Sequence, residues 1–161
     1  MVVFVSDLFV KDYVGGGELS TQALIDSCLL PVAQINSRLL TVDIMEAHKD
    51  AFWVFANFSE LSLQCITYAI KNLSYTVIEY DYKYCKYRSP EKHAEEEGTC
   101  NCEHDQLAKV VTMFLSHSKT TYWMSHNQKQ KYIDKFAFIE KQQTKVLSSI
   151  FSEHSLNYIT S

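Results

Sequence analysis

The sequence predicts an α/β fold in which strands and helices alternate about six times. Short runs of β-branched and aromatic residues, typical of strands buried on both faces, are separated by longer segments with apolar residues at helical spacing. Right-handed crossovers then give a mostly parallel six-stranded sheet with helices on both faces. The chain is about one domain long, so we expect residues 1–161 to form a single Rossmann-like three-layer sandwich.

The predicted elements follow from these runs. The predicted strands are Val2–Ser6, Ser37–Ile44, Ala51–Phe58, Tyr75–Tyr82, Thr120–Met124 and Lys145–Ile150. The predicted helices are Glu18–Leu30, a helix capped by Ser59 that extends to Leu73, a helix capped by Asp105, and Asn127–Phe138. Residues 83–104 have no apolar periodicity, and we expect an irregular, cysteine-rich insertion loop there.

Composition and charge narrow the class of protein. Hydrophobic residues make up 47% of the chain and charged residues 21%, which is typical of globular rather than disordered proteins. The net charge of −4, without a basic run, argues against a nucleic-acid partner. No apolar stretch approaches the roughly 20 residues of a transmembrane helix. The N-terminus lacks the basic region of a signal peptide, so we expect a cytoplasmic protein.

Three of the four glycines stand together between the first predicted strand and the first predicted helix, at Gly15, Gly16 and Gly17. Such a run indicates unusual backbone geometry or a close approach to the backbone. The helix that follows presents free N–H groups and a partial positive charge, which favour phosphate. The pattern is neither a dinucleotide fingerprint nor a P-loop. It predicts an anion-binding loop, or a turn that only leads into the helix.

The insertion concentrates residues that bind metals. Cys85, Cys100 and Cys102, with His93 or His104 as the fourth ligand, can form a tetrahedral zinc site. Reactive free thiols, or a disulfide between Cys85 and one of the other two cysteines, are the alternatives, since Cys-x-Cys is a less usual zinc motif than Cys-x-x-Cys. The five cysteines, an odd number without a secretion signal, argue against a disulfide framework.

Charged residues near predicted strand ends are further site candidates. The insertion follows the carboxyl end of the fourth predicted strand, where ligands bind in parallel sheets, so Arg88 is a candidate ligand contact. Asp7 and Asp12 lie between the first strand and the glycines, where a general base could sit. His126 follows the fifth predicted strand. The alternative for Arg88 is a solvated charged loop, and for the two aspartates it is solvated carboxylates. The alternative for His126 is a surface or capping residue.

Three stretches, DYVGGGELST, EYDYKYCKYRSPEKH and YWMSHNQKQKY, resemble glycosyltransferase-like proteins of phages and environmental marine sequences, and the likeness spans most of the chain. The strand, triple glycine, Glu18 and helix together resemble the opening of family 4-like (group 1) glycosyltransferases of GT-B architecture. The resemblance implies an N-terminal, acceptor-side domain. It also implies that Gly15–Gly17 line the interdomain cleft, that Glu18 begins the helix, and that His126 contacts the sugar.

The resemblance further implies a nucleotide-sugar donor and a sugar, protein-linked or lipid-linked acceptor. A second Rossmann domain, in cis or in trans, would supply the cationic residues that hold the donor. The alternative is a non-catalytic binding or assembly module, zinc-stabilised or not, that forms homo-oligomers through the face a second domain would otherwise cover. The sequence leaves both interpretations open.

Overall fold

The chain forms one sheet of six strands that all run parallel. The computed structural model describes residues 1–160, apart from the side chains of Ser155 and Ile159, so the last residue of the predicted domain, Ser161, lies outside the described residues. The strands are β1 (Val2–Ser6), β2 (Val32–Asn36), β3 (Phe52–Phe55), β4 (Ser74–Glu79), β5 (Thr121–Trp123) and β6 (Thr144–Val146). Their order is β2-β1-β3-β4-β5-β6. The predicted α/β, Rossmann-like architecture is confirmed.

Within the described residues, six helices lie in the connections between successive strands, and a seventh follows β6. They are α1 (Gly16–Ser27), α2 (Val42–Ala47), α3 (Leu63–Asn72), α4 (Pro90–Glu97), α5 (Gln106–His117), α6 (His126–Lys135) and α7 (Glu153–Thr160). Short 3₁₀ turns are formed by Ser37–Leu39, Cys102–His104 and Ala137–Lys141. Four of the helices begin after a Ser or Thr whose hydroxyl accepts a backbone N–H of the first turn, which satisfies an otherwise unpaired donor.

Alternation along the central strands divides the core between the two faces of the sheet. On one face, the Phe55 ring packs edge-on against Phe114 of α5, at a centroid distance of 5.0 Å, and the Tyr75 ring stacks on Phe114 at 4.8 Å. On the other face, Val54 and Ile78 belong to a smaller cluster. Both faces are covered, so every residue of β3 and β4 after the first of each strand is buried.

The strand order reverses at β1, which has β2 on one side and β3 on the other. In open parallel sheets, the crevice outside the carboxyl ends of the strands at such a point is the usual ligand site. Three loops meet there: residues 7–15 after β1, residues 56–62 after β3, and residues 80–89 after β4. The glycine run and the start of the insertion therefore lie at the same edge.

The prediction of a second strand at Ser37–Ile44 is wrong. The strand is Val32–Asn36, immediately after Pro31, and the predicted segment forms a 3₁₀ turn and α2. Two side chains explain the difference: Asn36 accepts the N–H of Arg38, and Thr41 accepts the N–H of Ile44. Such local caps compete with strand pairing. The other five predicted strands overlap observed ones.

The prediction that residues 83–104 are irregular is also wrong, because α4 lies within them. The Ser89 hydroxyl caps this helix, Pro90 occupies its first position, and Gly98 ends it with φ +86°. Proline is pre-organised for a helix start, and glycine adopts the left-handed conformation of a helix end without strain. The helix has too few apolar residues for periodicity to reveal it. Helix α3 likewise begins after Ser62 and not after Ser59.

A buried ionic network joins the end of β4 to the insertion and to α6. Glu79 is fully buried and accepts hydrogen bonds from Lys83 Nζ and Tyr132 Oη, both at 2.7 Å. Lys83 also bonds Asp81 at 3.1 Å and lies 5.1 Å from the centroid of the Phe58 ring. Burial raises the pKa of Glu79, and the charge of Lys83 opposes that shift. The network fixes where the insertion leaves the sheet.

We expect Tyr132→Phe to lower the free energy of unfolding by about 1.5–3 kcal/mol, because it removes a hydrogen bond to a buried charged group. Tyr122→Phe is the matched control, since the Tyr122 hydroxyl has no hydrogen bond to a described residue, and we expect it to change stability by less than about 0.5 kcal/mol. Urea unfolding measures both. Equal losses in the two variants would contradict the role of the network.

Candidate metal centre and carboxyl-edge site

Four side chains of the insertion come together in one cluster. The ligand atoms of Cys85, His93, Cys100 and Cys102 all lie within 4.8 Å of one another. Cys85 follows β4, α4 carries His93 back towards it, and the two remaining cysteines follow the helix end at Gly98. Cys85, His93 and Cys102 are buried and Cys100 is half-buried. The cluster, called the metal cluster below, can hold a metal ion.

Four of the ligand-atom distances within the metal cluster are close to those of tetrahedral coordination. Cys85 Sγ lies 3.8 Å from Cys100 Sγ and 3.9 Å from Cys102 Sγ. Tetrahedral bonds of about 2.3 Å to sulfur place two sulfurs about 3.8 Å apart, whereas a disulfide joins them at about 2.05 Å. His93 Nδ1 lies 3.6 Å from Cys85 Sγ and 3.3 Å from Cys102 Sγ. A zinc-bound pair of nitrogen and sulfur would be about 3.6 Å apart.

A carboxylate outside the metal cluster sets the orientation of His93. The Nε2 atom of His93 lies 3.0 Å from a carboxylate oxygen of Glu97, which stands one helical turn further along α4. Glu97 also accepts bonds from Lys86 Nζ at 2.8 Å and Tyr87 Oη at 3.0 Å. Lys86 first, then His93 and Tyr87, lower the pKa of Glu97 to about 2. A carboxylate bonded to Nε2–H leaves the Nδ1 lone pair directed at the sulfurs, as in histidine–metal centres.

The surroundings of the thiols affect cation binding in two opposite ways. Burial raises the pKa of the Cys85 thiol to about 12, so a bound metal ion would have to displace its proton at neutral pH. The fully buried Tyr84 hydroxyl has no hydrogen-bond partner in the described part of the chain. Its pKa is raised by burial and then by the nearby Cys100 and Cys85. An unpaired donor beside these sulfurs fits a site in which they carry negative charge.

Of the two histidines that the sequence offers as the fourth ligand, His93 lies in the metal cluster. His104 ends a 3₁₀ turn and is exposed. None of the five cysteines forms a disulfide, and Cys28 and Cys65 lie apart from the metal cluster.

The glycine run begins α1 and packs closely against neighbouring side chains. A Cβ at Gly17 would lie 3.3 Å from Asn57 Nδ2 and 3.5 Å from the Tyr80 ring, and one at Gly15 would lie 2.6 Å from an oxygen of Glu18. None of these glycines has a positive φ. Close approach, and not an unusual backbone, therefore explains Gly15 and Gly17, whereas a Cβ at Gly16 would meet no atom within 4 Å. The nearly buried Glu18 side chain folds back over Gly15.

Arg88 lies beside the same asparagine. Its Nε donates to Asp81 at 2.7 Å and its Nη2 to Asn57 Oδ1 at 3.1 Å, so Asn57 separates Arg88 from Gly17. The Arg88 backbone has φ +57°, and its N–H donates to the carbonyl of Cys85 at 2.8 Å. About 41% of its side chain is exposed. The insertion thus places a cation beside the N-terminus of α1, at the reversal point of the sheet.

The other candidate residues have separate places. Asp12 is exposed, and its carboxylate accepts the N–H of Phe9 at 3.1 Å. His126 is exposed at the start of α6, after β5. Strands β3 and β4 lie between β1 and β5, which places the latter two about 14 Å apart. The structure therefore does not bring Asp12 and His126 together.

Asp7, a possible general base by sequence, ties loops together instead. Its carboxylate accepts the N–H groups of Ser59 and Glu60, both at 3.0 Å, and the hydroxyl of Ser37. The bonded groups come from the loops that follow β2 and β3. Asp7 thereby fixes both neighbours of β1 at the carboxyl edge.

Sequence reasoning missed Asn57 and Glu97. Asn57 stands two residues after the end of β3, at the edge where Arg88 is expected, and that position is its only signal in the sequence. Glu97 stands four residues after His93, a spacing that places both on one face of a helix. The Ser-Pro start and glycine end of α4 were the signals for that helix.

We expect Asp7→Ala to lower the free energy of unfolding by about 2–3 kcal/mol, because two backbone N–H groups lose a charged acceptor. Asp12→Ala is the control: it removes an exposed carboxylate with a single such bond, and we expect a loss below about 1 kcal/mol. Urea unfolding of both variants tests this. A loss at Asp7 no larger than that at Asp12 would refute the structural role.

Comparison with known proteins adds no family assignment. No family model matches the chain, and neither the curated proteins nor the solved structures gave a match. Within residues 1–160, the helices are all too short or too polar to cross a membrane.

Proposed function

We propose that the chain is the acceptor-side, N-terminal domain of a glycosyltransferase that uses a nucleotide-sugar donor and needs a second Rossmann domain for full activity. The observation that carries the proposal is the placement of the α1 N-terminus and the Arg88 guanidinium on either side of Asn57. Both favour negative charge, and both lie where parallel sheets bind ligands. The sequence resemblance supplies the sugar chemistry.

In this proposal, the leaving diphosphate is stabilised electrostatically, which is usually the largest contribution to such catalysis. The amides of Gly15–Gly17 and the α1 dipole provide part of the positive potential, Arg88 adds a cation, and the second domain provides the rest. Asp12 is the proposed base for the acceptor, and His126 the proposed sugar contact. They serve one reaction only if the substrates extend along the carboxyl edge from β1 to β5.

Two glycine variants test the crevice. At Gly17, a methyl group would press on Asn57 and Tyr80, whereas at Gly16 no atom lies within 4 Å of the added carbon. We expect UDP-glucose, GDP-mannose or UDP to raise the melting temperature of wild type and of Gly16→Ala, and to raise that of Gly17→Ala much less. The measurement is the ligand-induced shift of each variant. Absence of any shift in wild type would refute a phosphate site in this domain.

We further propose that the ion held by the metal cluster is structural zinc. Thiolate and imidazole ligands in tetrahedral arrangement suit Zn²⁺. Four protein ligands close the coordination sphere and leave no position for a substrate, which is the pattern of a structural site. The ion would join the end of β4, helix α4 and the approach to α5, and so order α4, a polar helix whose one buried residue is the ligand His93.

Metal analysis tests the zinc proposal. We expect about one zinc ion per chain in wild type and in Cys28→Ser, which lies outside the metal cluster, and far less in Cys102→Ser. Cobalt substitution should give the visible absorption of tetrahedral thiolate coordination. Removal by a chelator should lower the melting temperature of wild type. Protein without metal, or equal metal loss in both variants, would support free thiols or a disulfide instead.

The second candidate function is a non-catalytic, zinc-stabilised binding module. The separation of Asp12 from His126 and the closed ligand set of the metal cluster favour it. The two sets of measurements distinguish the candidates. A module predicts stability that depends on metal with no effect of nucleotide sugars, whereas the glycosyltransferase domain predicts both effects.

A further inference from the structure

A cavity of about 380 Å³ lies beside the metal cluster, between α3 and α5. Its volume is within the usual range for small-molecule sites. Phe58, Leu61 and Ile66 form one apolar wall, and Val110 and Val111 of α5 form the other. The insertion closes it on a third side. The cavity lies at the carboxyl edge of the sheet, where it borders the crevice beside Arg88 but is distinct from it.

The charged side chains that line the cavity are all cations. They are Lys83, Lys86 and Arg88, and no aspartate or glutamate is among the described residues of its lining. Lys83 is almost fully buried in its network with Glu79, whereas about half of the Lys86 side chain is exposed. The anions that pair with these cations lie outside the lining. The cavity therefore combines apolar walls with a cationic side.

Helix α5 adds positive potential to the same place. Its first residues, Gln106 and Leu107, line the cavity, and the side chain of its N-cap, Asp105, makes no capping hydrogen bond. The capping role expected for that side chain is therefore absent. The first-turn N–H groups of a helix carry partial positive charge. The three cations have carboxylate partners outside the lining, and these N–H groups add positive potential on the cavity side.

The mouth of the cavity exposes apolar surface. Leu63 of α3 is 60% exposed and Leu107 of α5 is 47% exposed, and both belong to the lining. An apolar group seated between them would remove this surface from water, which is favourable. A simple inorganic anion would leave these walls uncovered.

We propose that this cavity binds a small amphipathic anion, a free molecule in which an apolar chain or ring carries a carboxylate, sulfate or phosphate. The apolar part packs between α3 and α5, and the anionic group meets Lys86, Arg88 and the first turn of α5. The inference does not depend on glycosyl transfer or on the crevice beside Gly17.

The test uses the full chain as purified, with its metal content measured. The fluorescent probe 1-anilinonaphthalene-8-sulfonate reports binding, and decanoate below its micelle-forming concentration competes with it. Decyltrimethylammonium, which has an alkyl chain of nearly the same length and the opposite charge, is the control ligand. We expect decanoate to bind at least about tenfold more tightly than the cation. Equal affinities would overturn the charge argument and with it the proposal.

Methyl chemical shifts locate the site. On titration with decanoate, we expect the largest shifts at Leu61, Leu63, Ile66 and Leu107. A second apolar cavity, of about 360 Å³, lies on the other face of the sheet and is lined by Leu24, Val54 and Ile78 among others. Its lining includes no charged side chain. Shifts confined to that second cavity would overturn the proposal.

Two variants of α5 complete the test. Leu107→Glu places an anion at the mouth, and an acidic residue in a first helical turn is favourable, so the fold is retained. Met113→Glu is the control, since Met113 is 53% exposed on the same helix and does not line the cavity. We expect decanoate binding about tenfold weaker in Leu107→Glu and unchanged in Met113→Glu. Equal binding by both variants would refute the site.

Discussion

A carboxylate removed from water must be paired, and Glu79 is fully buried at the end of β4. Its partners are Lys83 from the insertion and Tyr132 from α6. These bonds fix the direction in which the chain leaves the sheet. Cys85 and Arg88 follow within nine residues of Glu79, so the positions of the metal cluster and of the edge cation both depend on this network.

The metal cluster and the edge crevice share backbone. The carbonyl of Cys85 accepts the N–H of Arg88, whose left-handed conformation costs energy for a residue with a side chain. The turn that relates the two residues is closed further by the bond from the Tyr82 N–H to the Arg88 carbonyl. A ligand atom of the metal cluster and the cation beside the glycine run are therefore held by one short segment, and any movement of that segment shifts both.

The sequence predicts secondary structure well where an apolar pattern spans many residues, and poorly where one local hydrogen bond decides between a strand and a helix. Alternating apolar runs predicted the parallel sheet, because burial on both faces requires them. The second strand was misplaced because the side chains of Asn36 and Thr41 turn the chain. The choice between His93 and His104 depended on α4, which has no apolar stripe. Periodicity cannot detect such a helix, whereas its caps can.

The glycine run shows the same limit at the site. Glycine indicates a close approach to the backbone, but the sequence does not identify the neighbouring residues. Those of Gly17 are Asn57 and Tyr80, which are distant in sequence, and Glu18 lies against Gly15. Asn57 becomes notable only when the sheet places β3 next to β1 and the insertion brings Arg88 to its amide oxygen. Contacts between three separate loops depend on strand order, which short-range patterns do not contain.

The features at the carboxyl edge differ in whether they are open to a ligand. The four ligands of the metal cluster can complete a tetrahedral shell, which leaves no coordination position for a substrate. The crevice at Gly17 and the cavity between α3 and α5 are the open features beside it. Arg88 borders both of these. The insertion, whose root is bonded to Glu79 and which carries the four residues of the metal cluster, is thus the element that contributes residues to the metal cluster, the crevice and the cavity.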